Sequence, residues 1–182
     1  FSRPVDISKY HLIYAGAQKN MGPAGATLVV VKEEILGKTG RYIPSMLDYE
    51  KHIKAESMYN TPPVFPVYAS LLTLQWLKNL GGIAAIEKIN EAKANLLYTE
   101  IDRNPLFKGT AAVEDRSIMN ATFLLNDENH APIFDKMWKD AGISGLPGHR
   151  SVGGYRASMY NALSLESVQV LVDVMQALEK AV

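Results

Sequence analysis

Two rhythms of apolar and polar positions run along the chain. Leu12-Ile13-Tyr14-Ala15 and Thr27-Leu28-Val29-Val30-Val31 are short aliphatic runs that read as strands. The second is apolar on both faces, as a strand in a covered parallel or mixed sheet is. Gly16, Gly22, Pro23 and Gly25 mark the turn between them, and residues 32–60 read as a polar excursion over the surface. Pro62-Pro63 forces Thr61 and Pro62 into extended backbone. From Pro66 the spacing of Val67, Leu71, Leu74 and Leu77 predicts a helix that ends at Gly81-Gly82. A longer amphipathic helix is predicted over 83–103, long enough to link two domains, with Ile86, Ile89, Leu96, Leu97 and Ile101 on one side and Lys, Glu and Asn on the other. Beyond it the pattern predicts strands near 107–113 and 118–125 and a helix over 131–140. A glycine-rich loop then covers 142–154, and a last helix follows the N-cap Ser164, with Val168, Val170, Leu171, Val174, Met175 and Leu178 inward. The stretch from residue 82 onward reads as a compact α+β unit, whereas residues 1–81 read as part of something larger.

Composition narrows the function classes. The 182 residues are 47% hydrophobic, enough for a real core. Lys plus Arg number 19 and Asp plus Glu number 19, so no bulk field draws in nucleic acid or acidic lipid, and any anion site must be local. Cysteine is absent, which removes thiolate metal sites and thiol nucleophiles. The apolar runs are too short to span a bilayer and Phe1-Ser2-Arg3-Pro4 does not open a signal peptide, so a soluble, cytoplasmic protein is expected. The histidines at 11, 52, 130 and 149 lack metal-ligand spacing, and no metal is expected. Neither a Gly-x-Gly-x-x-Gly nor a complete Walker motif is present.

Three segments can carry chemistry. Lys19 follows a strand among Gly16, Gly22 and Gly25. A lysine partly desolvated in such a cavity has a lowered pKa and an amine able to condense with a carbonyl; the alternative is a solvated lysine in a turn. Asn60 and Thr61 offer an amide and a hydroxyl ahead of a helix N-terminus, a place suited to a phosphate or to simple capping of the helix. Gly148-His149-Arg150-Ser151-Val152-Gly153-Gly154-Tyr155-Arg156 places two arginines and a histidine in a loop with no acidic residue between Leu146 and Leu165. Two guanidiniums so spaced suit a small substrate with two anionic ends, or else form a solvated basic loop.

These segments resemble one family in order and separation. Tyr14-Ala15-Gly16-Ala17-Gln18-Lys19-Asn20 with Gly22-Pro23-Ala24-Gly25, then Leu47-Asp48-Tyr49, Tyr59-Asn60-Thr61-Pro62-Pro63 and the 148–158 segment are similar to the phosphoserine aminotransferases, a class V branch of the fold-type I pyridoxal-phosphate enzymes. The resemblance implies an α/β fold: the end of the large mixed-sheet cofactor-binding domain over 1–81 and the small C-terminal α+β domain over 82–182. It implies that Lys19 holds pyridoxal 5'-phosphate covalently and moves protons, that Gln18 contacts the cofactor, and that Asn60 and Thr61 bind its phosphate across a homodimer interface. His149 and Arg150 would recognise the substrate phosphate or the distal carboxylate of glutamate, and Arg156 the α-carboxylate. The implied reaction exchanges an amino group between L-glutamate and 3-phosphohydroxypyruvate in serine biosynthesis. The family's N-terminal half carries further cofactor contacts, so this chain is expected to hold an incomplete site. The competing readings are another class V aminotransferase and a cofactor-free α+β binding module. A cysteine desulfurase reading is disfavoured because this segment holds no thiol for persulfide chemistry, and an alanine or glyoxylate transaminase has no evident use for a second anion clamp.

Overall fold

The computed structural model describes residues 1–150 and 153–182. The chain packs as two compact units, Phe1 with Arg3–Leu80 and Ser2 with Gly81–Val182. Among the described residues, no helix is long and apolar enough to cross a membrane.

In the first unit, β1 (Leu12–Gly16) and β2 (Thr27–Val31) pair antiparallel, with Leu12 opposite Val31 and Gly16 opposite Thr27. The sequence predicts a strand covered on both faces at β2; instead Leu28 and Val30 are exposed. The reason is that β1 and β2 pair only with each other among the described residues, and a two-stranded ribbon cannot cover its own faces. The polar excursion is more ordered than its composition suggests. A short helix, α1 (Tyr49–Lys54), starts where the Asp48 carboxylate accepts from the Glu50 N–H at 3.0 Å. Next, α2 (Val64–Asn79) begins two residues before the expected Pro66. Proline is tolerated in a first turn because its missing N–H would have no helical partner there. Most of α2's large apolar residues are exposed; Leu77 is the one that is buried. A helix apolar all round is the kind that larger proteins enclose.

The second unit builds its own interior. α3 (Gly82–Arg103) is followed by β3 (Phe107–Gly109), β4 (Asn120–Leu125), α4 (Ala131–Asp140), β5 (Tyr155–Ser158) and α5 (Leu165–Ala181). The strands form an antiparallel sheet in the order β3-β4-β5. Ala121, Phe123 and Leu125 alternate inward along β4 and meet Leu97 and Ile101 of α3, Phe134 and Trp138 of α4, and Met175 and Leu178 of α5. The first strand is shorter than the expected 107–113: it ends at Gly109, and a single 3-10 turn follows at Val113–Asp115. On α5, Val172 rather than the expected Val170 faces the core.

The face of α3 departs most from expectation. Asn90, Lys93 and Glu100, assigned to the solvent side by pattern, are buried with Ile86, Leu97 and Ile101. Each has polar partners inside. Glu100 accepts from Arg103, Asn104 and Gln176. Lys93 donates to three backbone carbonyls. Buried polar groups are tolerated on those terms.

Candidate active site

The loop that carries Lys19 is fixed from below. Ala17 and Met21 are buried, the Ala17 N–H donates to Ala26 O at 2.9 Å and the Met21 N–H to Ala17 O at 3.1 Å. Gly22 lies so close to α2 that a Cβ there would stand 2.9 Å from Ser70 Oγ. That oxygen is buried with no hydrogen-bond partner. With φ +154 and this contact, position 22 has no room for a side chain.

Lys19 itself has φ +92, and its N–H donates to Gly22 O at 2.9 Å. A lysine in that region is strained, and strain of this kind gathers where a fold over-determines the position of a functional side chain. The enclosure expected from the sequence is absent: Lys19 and Gln18 are both exposed. The turn presents them outward because its buried positions, Ala17 and Met21, are the apolar ones.

Asn60 and Thr61 are exposed immediately before α2. The Asn60 amide donates to Thr61 O at 3.1 Å, which holds the dipeptide in a local turn. The helix N-cap, Pro63, gives no side-chain cap to the first turn of α2. The N-cap side chain therefore supplies no acceptor to the first N–H groups of the helix, a place where an anion can serve.

In the second unit, Gly148 and His149 are tied to Gly153 and Gly154. The Gly148 N–H donates to Gly154 O and the Gly153 N–H to His149 O, both at 2.8 Å. Gly154 has φ +62, and a Cβ there would collide with the Leu124 side chain and Phe123 O. A side chain at 154 would lift the loop off β4. His149 and Arg150 are exposed on this loop; Ser151 and Val152 of the motif lie outside the described residues.

Arg156 is on β5, opposite Thr122 of β4 in the ladder and on the exposed face of the strand. Its N–H donates to Leu146 O at 2.7 Å. It also lines a cavity of about 330 Å³ bounded by residues 141–146, Ala157 and Ser158 of β5, and the start of α5. The preceding Tyr155 is buried against Phe123 and Phe134 and donates its hydroxyl to Asp135 at 2.9 Å. Burial and that carboxylate push the phenol well above its usual range, so it stays protonated and serves as an anchor. Thus Lys19 with Gln18 and Asn60 with Thr61 sit in the first unit, and His149, Arg150 and Arg156 in the second. Hydrophobic spacing gives no signal for Thr122, Asp135 or Lys93; only the strand register and the buried network reveal them.

The family model described as "Aminotransferase class-V" matches residues 1–171. The phosphoserine aminotransferase of Flavobacterium psychrophilum is 84% identical over 182 residues, which are 100% of this chain and 51% of that protein. Among solved structures, the phosphoserine aminotransferase from Bacillus circulans subsp. alkalophilus superposes with a TM-score of 0.92 at 42% identity, over 99% of this chain and 50% of that one. The PLP-bound phosphoserine aminotransferase from Trichomonas vaginalis gives a TM-score of 0.88 at 37% identity, over 96% and 50%. The chain spans about half the length of the curated relatives it matches.

Proposed function

The chain belongs to the class-V aminotransferase family, and from that premise we propose that it carries the C-terminal part of a pyridoxal-phosphate site. The proposed reaction of the whole protein transfers an amino group from L-glutamate to 3-phosphohydroxypyruvate, giving O-phospho-L-serine and 2-oxoglutarate. The observation that carries this reading is Lys19: a primary amine held outward at a strained, over-determined backbone position. Likeness to phosphoserine aminotransferases over the whole chain supports the same substrate class.

The residues fit the cofactor. Lys19 is exposed and able to hold it covalently, with Gln18 beside it. Asn60, Thr61 and the uncapped start of α2 offer donors for its phosphate, and in the proposed homodimer they serve the site across the interface. When bound, the cofactor supplies a sink for the electron pair left on the substrate Cα. Lys19 Nζ would take the proton from the substrate Cα and hold it for return. Arg156 presents a planar fork to the α-carboxylate, a pairing a lysine would not orient. His149 and Arg150 hold the second anionic end, phosphate in one half-reaction and distal carboxylate in the other.

Borohydride trapping in the full-length holoenzyme tests the assignment. Reduction is expected to fix the cofactor on Lys19 with loss of its visible band. A Lys19→Ala protein that still retained a covalent adduct would sink the proposal. Arg150→Leu is expected to weaken phosphorylated substrates far more than unphosphorylated analogues; equal losses would contradict the division of roles with Arg156.

A further inference from the structure

Lys93 of α3 is fully buried, and its ammonium donates to three carbonyls of one irregular turn: Met159 O at 3.1 Å, Tyr160 O at 2.9 Å and Leu163 O at 3.0 Å. Burial lowers its pKa below the ordinary lysine value, and the three acceptors are neutral carbonyls. One helical turn earlier, buried Asn90 donates its amide to Asn161 Oδ1 at 2.9 Å, in the same turn. That turn leaves β5 directly, and β5 carries Arg156. On its other edge β5 is set by its ladder with β4, and the Met159 N–H donates to Met119 O at 2.8 Å.

An ammonium kept inside without a counter-charge is costly, and an apolar side chain of the same length would avoid that cost. The turn's carbonyls need donors, but one rigidly held donor group serving three of them also removes the turn's freedom to shift. A bidentate Arg–carboxylate contact is sensitive to sub-ångström placement of the strand that bears the arginine. We infer that Lys93 is a positioning residue for Arg156: by pinning the 159–163 turn to α3 it fixes the end of β5, and so the aim of the guanidinium at a substrate carboxylate. The inference rests on the reading of Arg156 as the α-carboxylate clamp.

The test uses the full-length holoenzyme and four variants. Arg156→Gln establishes the clamp by raising KM for L-glutamate. Lys93→Met is expected to raise the same KM about tenfold with kcat held within about twofold, because binding geometry is lost while the chemistry at Lys19 is untouched. Leu97→Ala, which weakens the same helix without touching the turn, should lower the melting temperature and leave KM alone. A Lys93→Met enzyme that behaves like Leu97→Ala, less stable with unchanged KM, overturns the inference. If Lys93→Met fails to fold, Asn90→Ala loosens the same turn more gently: a KM raised about threefold supports the role, and an unchanged KM refutes it. Should Arg156→Gln itself leave KM unchanged, the clamp assignment fails and this inference fails with it.

Discussion

Lys19 combines a required side chain with an unfavourable backbone, and the two demands can be separated by substitution. A non-glycine residue at φ +92 costs roughly 1–3 kcal/mol. Lys19→Gly is therefore expected to be more stable than Lys19→Ala by about 1 kcal/mol in chemical denaturation, after glycine's extra unfolded-state freedom is counted, while both lose trapping and turnover. Equal stabilities would mean that the loop relaxes around the residue. Lys93 makes a second residue-scale prediction. Burial lowers its pKa from the ordinary 10.5, so between the lowered value and 10.5 the unfolded chain binds more protons than the folded one. Stability contributed through this group must then rise with pH across that window. Denaturation followed by Trp138 fluorescence in a Trp76→Phe background should show the rise, and Lys93→Met should lack it. Both residues mark what the sequence hides. Lys19 reads correctly as a lysine after a strand, but its exposure depends on how much of the ribbon is covered. Lys93 reads as a solvent-facing charge because periodicity counts apolar positions and has no means of seeing three carbonyls waiting on another segment.

At the scale of elements, the legible parts are those whose own chemistry dictates them. Ser164 reads as an N-cap, and its hydroxyl accepts the Ser167 N–H at 3.2 Å at the start of α5. Ser164→Ala should cost about 1 kcal/mol, read by the same Trp138 signal; a loss of a few tenths would mean that water substitutes for the cap. The helix over 131–140 and both strands of the ribbon also follow their local patterns. Elements that depend on distant partners leave weaker local signals. α1 is six residues long, too short for a periodic signal, and only the Asp48 cap announces it. β3 stops at Gly109, although the residues from there to the turn at Val113–Asp115 give no warning of a break. The register that puts Arg156 opposite Thr122 comes from pairing two strands separated by a helix and a loop, which no local pattern encodes.

For the whole molecule, the contrast lies between a unit with an interior and a unit without one. Among the described residues, the second unit buries nineteen in one apolar cluster. In the first, buried apolar side chains are Ala17, Met21 and Leu77, while Phe65, Tyr68, Leu71 and Trp76 of α2 are exposed. Protection against hydrogen exchange tracks such burial. In the 182-residue chain, amides of β4, α3 and α5 should exchange slowest and those of β1, β2 and α2 orders of magnitude faster. Equal protection in both would contradict this division of stability. The same division gives the buried lysine a practical use. An amine-reactive reagent meets the exposed Lys88 and Lys108 at once, yet can acylate Lys93 only when the second unit opens, so the mass-spectrometric ratio of buried to exposed label is a built-in clock for that opening, readable without any probe attached.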